Sequence, residues 1–324
     1  MKTPVPRVGN KTPVLQTLYS MFPIHYKEYI DVFGGSGSVL LGLDRMTKVN
    51  REIYNDFDHN LTNLFDCMKS RTMALIWELG FCHLNSREDF LAIEHFFQSE
   101  AFDDRFFVNE QELTKIMLPP LEAEELNRIR ASRVGDYDVR RAAMYFKLLR
   151  ESYASTGKSY AAQPFDITRL FDTIKMVQYR LKDVVIENQD FETSIRNHDG
   201  EEVFFYLDPP YYKTEKYYDG FTVADHARLR SLLGDIQGKF LLSYNDCEEI
   251  RSMYAGYLIY DYTRIHSMAQ RFQAGKKYKE LLIANYGYDQ MKQSLPVQME
   301  LFDNFDNYME TVQLRKMIKE SLIK

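Results

Sequence analysis

Cysteine is scarce in this 324-residue chain: Cys67, Cys82 and Cys247 lie far apart, and no C-x-x-C pair occurs. A disulfide framework and a thiolate zinc site therefore lack support, and the usage suits a reducing compartment. The seven histidines include no H-E-x-x-H spacing, which removes the usual sequence mark of metal-assisted hydrolysis. No apolar run approaches the roughly 18 residues that a membrane span needs. The opening Met1-Lys2-Thr3-Pro4-Val5-Pro6-Arg7 has no hydrophobic centre of the kind a secretory leader carries. Internal repeats, low-complexity tracts and Gly/Ser-rich linkers are also missing. These absences lead us to expect a cytoplasmic protein with no metal and no membrane partner.

What is present is an ordinary globular composition, 45% hydrophobic and 27% charged, over a length that suits about two domains. The net charge of −6 hides a strong pattern. Residues 83–126 carry 11 acids against three bases, whereas residues 127–182 carry 12 bases against five acids. Phosphate contacts depend on local Lys/Arg density and not on the total. By charge alone, the basic block reads sooner as a set of solvated helix faces than as a phosphate-binding surface.

Tyr29-Ile30-Asp31-Val32-Phe33 reads as a strand, broken by Gly34-Gly35-Ser36-Gly37 before a helix that starts near Ser38. Glu52 to Asp56 reads as a second strand, followed by a helical stretch through Leu61, Leu64, Phe65 and Met68. From about 70 to 182 the apolar spacing is helical, interrupted at Ser155-Thr156-Gly157-Lys158 by a candidate hairpin tip. Strand-like segments return at 184–188, 203–207, 240–244 and 280–285, with a helix over Ala224 to Leu233. The pattern predicts an α/β domain assembled from both ends of the chain around a mainly helical insertion.

Two motifs carry chemistry. Glycines at a strand-to-helix turn let a ligand approach the backbone and face the helix N-terminus. An acid at the end of the second strand can then hold ribose hydroxyls. Asp56 lies 19 residues beyond Gly37, but Leu40 stands where a dinucleotide fingerprint needs Gly or Ala, so a dehydrogenase is disfavoured. Asp208-Pro209-Pro210-Tyr211 follows an apolar strand, so it falls at a carboxyl end, where α/β sheets bind ligands. Its carboxylate and the Pro209 carbonyl offer two acceptors for the two N–H bonds of a conjugated exocyclic amine, and the Tyr211 ring offers a stacking face.

Phe33-Gly34-Gly35-Ser36-Gly37 together with Asp208-Pro209-Pro210-Tyr211 resembles the Dam-type (class alpha, D12) DNA adenine-N6 methyltransferase family. Further segments line up in order: Gly9-Asn10-Lys11, Asn55-Asp56, Gln189-Asp190-Phe191, Phe221-Thr222 with Asp225-His226, Leu242 to Asp246, and Glu280 to Tyr286. The resemblance runs from about residue 5 to 287. It implies a Rossmann-like sheet, mostly parallel, of seven strands with one antiparallel strand at its edge, and a target-recognition insertion. The implied domains are 1–69 with 183–288 for cofactor and catalysis and 70–182 for DNA recognition, leaving 289–324 as an extension of unassigned role. The implied cofactor is S-adenosyl-L-methionine, held by Arg7, Lys11, Asp31, Phe33, Gly35, Gly37, Asp56, Asp190, Phe191 and Asp208. Asp208, Pro209, Pro210 and Tyr211 would be catalytic. Arg140, Arg141, Lys147, Arg150 and Lys158 are the candidate contacts to double-stranded DNA.

Three features depart from the family pattern. Asn10 replaces the second glycine of the family's G-G-K, and Arg7 stands where relatives often place an aromatic residue. The region from Lys147 to Ser155 lacks the asparagine-rich pattern of members that recognise GATC, so no target sequence is carried over. The resemblance also implies a bacterial or phage-encoded enzyme, with or without a restriction endonuclease as partner. Alternatives are methylation of cytosine N4, of RNA or of a protein amide, and a DNA-binding regulator that has lost catalysis.

Overall fold

The computed structural model describes residues 1–43, 49–81, 86–99, 138–161, 168–212, 221–265 and 277–287. Seven strands, β1 (Glu28–Asp31), β2 (Arg51–Asn55), β3 (Val184–Glu187), β4 (Val203–Leu207), β5 (Lys239–Asn245), β6 (Leu258–Ile265) and β7 (Lys277–Ala284), form one sheet. Their order is β3-β2-β1-β4-β5-β7-β6. The first five in that order pair in parallel, while β7 runs antiparallel to both β5 and β6. The single reversed strand is thus one place inside the edge, not at it, and β6 forms the edge. The strand-like segments read from the sequence omit β6. Its Tyr260, Asp261 and Thr263 are exposed, Leu258 and Ile259 are half-buried and Tyr262 is buried, which leaves a weak apolar signal.

Ten α-helices are described: α1 (Leu15–Met21), α2 (Ser38–Gly42), α3 (His59–Ser70), α4 (Thr72–Phe81), α5 (Arg87–Ser99), α6 (Val139–Glu151), α7 (Thr168–Leu181), α8 (Phe191–His198), α9 (Val223–Asp235) and α10 (Glu248–Met253). Polar caps fix where several begin. The Asp58 side chain accepts from the Asn60 and Leu61 amides at α3, Asp138 from the Arg141 amide at α6, and Asp190 from the Glu192 amide at α8. Thr222 and Asp225 form a reciprocal capping box at α9.

Alternation along the strands feeds two cores. Tyr29, Tyr54, Phe204, Tyr206 and Leu282 point to one face, where they meet residues of α1 to α7. Ile30, Ile53, Phe205, Leu242 and Ile283 point to the other, beneath α8, α9 and α10. Helix α6 packs against α3, α4 and α5, and Arg141 to Leu149 are all buried. Beyond α6 the chain reverses through Ser155 and Gly157, both with positive φ, and a single bridge pairs Ser152 with Tyr160. The expected hairpin tip is therefore a helix-terminating reversal with one bridge, because a 3-10 turn over Tyr153–Ser155 occupies the place of a strand.

Candidate active site

The parallel strands all end at one rim of the sheet, and the motif residues collect there. Gly34 takes the first turn after β1, its amide donating to the Asn55 carbonyl at 2.8 Å. Gly35 and Gly37 have φ of 53° and 66°, the left-handed region that glycine occupies without a steric penalty. The Asp56 carboxylate accepts from the Gly35 amide at 2.8 Å and from the Asp58 amide at 2.8 Å. Asn55, 1% exposed, is a staple: its side chain donates to the Val32 and Gln189 carbonyls and accepts from the Gln189 amide. It thereby locks the ends of β1 and β2 to the loop after β3. Burial, above all, holds the Asp56 carboxyl above its ordinary pKa; the positive charge of Arg7 opposes this and Asp58 adds to it.

Asp31, 1% exposed at the end of β1, accepts from the Leu40 amide, while its Oδ2 has no hydrogen-bond partner among the described residues. Burial, reinforced by the negative charges of Asp208 and Asp56, pushes its carboxyl well above the usual range. An orphaned buried carboxylate oxygen beside an open glycine turn is complementary to a cationic ligand group. Close by, Phe33, Phe191 and Phe221 form a cluster of rings with centroids 5.7–5.8 Å apart. The Arg228 guanidinium lies 4.2 Å from the Phe191 ring centroid and pairs with Asp190 at 2.9 Å.

At the end of β4, Asp208 Oδ1 lies 3.0 Å from the Lys11 ammonium, which comes from the N-terminal segment and is 2% exposed. The same Nζ donates to the Tyr211 hydroxyl at 2.5 Å and lies 3.6 Å from Glu280 Oε2. Tyr211 Oη also lies 3.2 Å from Ser243 Oγ on β5, and Asn245 donates to the Tyr212 carbonyl, fixing the loop after the motif. Lys11, Asp208 and Tyr211, which are 200 residues apart at the widest, thus share one cluster.

Arg7 is held by other groups. Its Nη1 lies 3.0 Å from Asp58 Oδ2 and 3.1 Å from the Tyr145 hydroxyl, and that hydroxyl donates to the same oxygen at 2.6 Å. Burial alone would raise Asp58, but the Arg7 charge and the hydrogen bonds from Tyr145, Arg7 and Leu61 outweigh it and hold the carboxyl low. Asp58, Tyr145, Ser243, Tyr262 and Glu280 were not among the sequence candidates for the site. The available signal was a polar residue at the end of, or inside, an apolar run, as at Leu242-Ser243 and Glu280-Leu281.

The five basic candidates separate by exposure. Arg140 is half-buried and Lys158 is exposed. Arg141 is 4% exposed, bonds to Asn60 Oδ1 at 2.7 Å and lies over the Phe96 and Phe97 rings. Lys147, 2% exposed, pairs with Asp89 at 3.5 Å. Arg150 donates to the Pro4 carbonyl at 2.8 Å, and burial lowers its pKa to about 10. Arg141 and Lys147 thus lie in the interior of the helical layer, where α6 is enclosed by its neighbours.

A seven-stranded, mostly parallel sheet in this order, with helices on both faces, is a Rossmann-like methyltransferase fold. Within that class, the model of the D12 class N6 adenine-specific DNA methyltransferase family matches residues 8–272, and the chain belongs to this family. A search of curated proteins finds no match. Membership makes the protein an enzyme of S-adenosylmethionine-dependent methyl transfer. No helix among the described residues is long and apolar enough to cross a membrane.

Proposed function

We propose that this enzyme transfers a methyl group from S-adenosylmethionine to N6 of an adenine rotated out of duplex DNA. The observation that carries this reading is the Lys11–Asp208 pair at 3.0 Å, set on the carboxyl rim beside the glycine turn. When bound, the cofactor supplies an electrophilic methyl carbon on a sulfonium. The residues present fit it: Asp31 offers a buried carboxylate oxygen to its cationic end, the rings of Phe33 and Phe191 offer flat faces to its base, and Asp56 lies where a ribose would be held.

Asp208 and the Pro209 carbonyl accept the two amino protons of the adenine, turning the N6 lone pair out of conjugation and toward the methyl donor. Lys11 fixes the Asp208 carboxylate and, by its charge, keeps it an acceptor more than a base. As the new C–N bond forms, the methyl–sulfur bond would break and the sulfur would leave as a neutral thioether; N6 then carries the positive charge, and the proton it loses passes to Asp208 or to water. The Tyr211 ring, oriented through its hydroxyl by Lys11 and Ser243, stacks on the rotated base.

In this reading residues 1–69 and 183–288 form the catalytic unit and 70–182 the target-recognition part. The candidate DNA contacts retained on the surface are Arg140 and Lys158. The test is methyl transfer from labelled S-adenosylmethionine to unmethylated duplex DNA, followed by nucleoside mass spectrometry. N6-methyladenine is the expected product. Label in N4-methylcytosine would move the target base, and a lack of label in DNA despite cofactor binding would overturn the reading.

A further inference from the structure

Glu280 stands where β7's pairing with β5 begins, opposite Asn245, and lies inside its pairing with β6, opposite Tyr262. Because β7 is antiparallel, its early residues lie at the rim where β4 and β5 end, so Glu280 faces the Asp208 cluster. It is 3% exposed. A carboxylate so far from water is unfavourable unless it is paired and hydrogen-bonded. Here it is both, since Lys11 Nζ lies 3.6 Å from Oε2 and the Tyr262 hydroxyl donates to the same oxygen.

The contacts close on themselves. Lys11 donates to Tyr211, Tyr211 meets Ser243 at 3.2 Å, Ser243 meets Tyr262 at 3.4 Å, Tyr262 donates to Glu280, and Glu280 returns to Lys11. Asp208 hangs from this ring through Lys11. Five segments far apart in sequence contribute one member each. A single ammonium is thereby shared between two carboxylates, which fixes it more tightly than either would alone. The packing of β7 needs no such group, because Leu281, Leu282 and Ile283 fill the neighbouring positions.

We propose that Glu280, with Tyr262, is a positioning residue for methyl transfer, holding the Lys11 ammonium at the point from which it sets both Asp208 and Tyr211. The proposal rests on the adenine-N6 reading above for its catalytic consequence, but the Glu280–Lys11 linkage stands apart from it. Glu280→Gln, Tyr262→Phe, Lys11→Gln and the Glu280→Gln/Lys11→Gln pair are compared with the wild type. Glu280→Gln should lower kcat by about tenfold or more, while KM for DNA and the affinity for S-adenosylhomocysteine change by less than about threefold. Glu280→Asp should recover part of the loss, and Tyr262→Phe should give a smaller loss of the same kind. The double variant should be no slower than Lys11→Gln alone, because both changes act through one ammonium.

Full kcat in Glu280→Gln, or losses that multiply in the double variant, would overturn the proposal. Urea unfolding of the same proteins supplies a second cycle that needs no substrate. Effects of the two changes on the folding constant that fail to couple would overturn the linkage even if DNA were not the methyl acceptor. Wild-type protein that leaves DNA unmethylated, with coupling intact in urea, would count against the adenine reading and for the linkage.

Discussion

Gly34→Ala tests whether the glycine turn is built around the Tyr54 ring. Gly34 does not need a left-handed backbone; what it lacks is room. A Cβ built there overlaps the Tyr54 ring, with Cδ2 at 2.6 Å and Cζ at 2.7 Å, where carbon atoms ordinarily rest about 3.5–4.0 Å apart. The ring must move by about 1 Å, and it has nowhere easy to go. Tyr54 is fully buried, its ring lies 4.4 Å from that of Phe65, and its hydroxyl donates to the Gly35 carbonyl at 2.7 Å. Phe65 is itself confined by the turn, with Cζ 2.8 Å from where a Gly37 Cβ would sit. Overpacking of this kind costs about 1–3 kcal/mol, and loss of the Tyr54–Gly35 hydrogen bond adds about 1 kcal/mol. We therefore expect Gly34→Ala to lower unfolding free energy by about 2–4 kcal/mol in urea. Cofactor affinity should fall with it, since the displaced hydroxyl releases the Gly35 peptide. The decisive comparison is the same change in a Tyr54→Leu background, where the obstructing ring is gone and the cost should drop below about 1 kcal/mol. Equal costs in the two backgrounds, or a cost under about 0.5 kcal/mol in the wild type, would refute the steric account.

Four further outcomes are expected. Asp208→Ala should abolish methyl transfer while largely sparing DNA affinity in a filter-binding or anisotropy assay; near-normal turnover would remove Asp208 from its role. For Asp31, the raised pKa means that the carboxyl stays protonated above the ordinary range, so its anionic form grows as pH rises. Affinity for S-adenosylhomocysteine, measured by calorimetry, should climb as pH rises above the ordinary carboxylate range, and this slope should vanish in Asp31→Asn; an unchanged slope would place the cationic end of the ligand elsewhere. Lys147→Met should cost about 3 kcal/mol of stability, because Asp89 is left buried without its cation. Lys158→Ala should leave stability within about 0.5 kcal/mol of wild type and weaken DNA binding with a shallower salt dependence. The reverse pattern would mean that α6 turns its buried face to DNA.

Several features were legible in the sequence because local physics enforces them. A strand broken by Gly34 to Gly37 and resumed as a helix has few other conformations, and β1 and α2 lie where that pattern puts them. Fully apolar runs such as Val203 to Leu207 announce strands covered on both faces. Asp208-Pro209-Pro210-Tyr211 fell at a carboxyl end for the same reason, and its chemistry could be argued from residue types alone. The edge strand β6 was missed because a half-exposed strand mixes Asp, Thr and Arg among its tyrosines. Charge counting could not tell that Arg141 and Lys147 are buried, since a basic residue on a surface helix and one on an enclosed helix look alike in sequence.

The sequence by itself determined the α/β class, the glycine turn, the Asp208-Pro209-Pro210-Tyr211 motif at a strand end and the family. Only the tertiary structure decided which side chains meet: Lys11 with Asp208, Tyr211 and Glu280, and Arg7 with Asp58 and Tyr145. Backbone preferences act over a few residues and leave a readable trace. Contacts between residues 138 or 200 positions apart are set by the order and direction of the strands, above all by the reversal of β7, which carries Glu280 to the carboxyl rim beside Lys11.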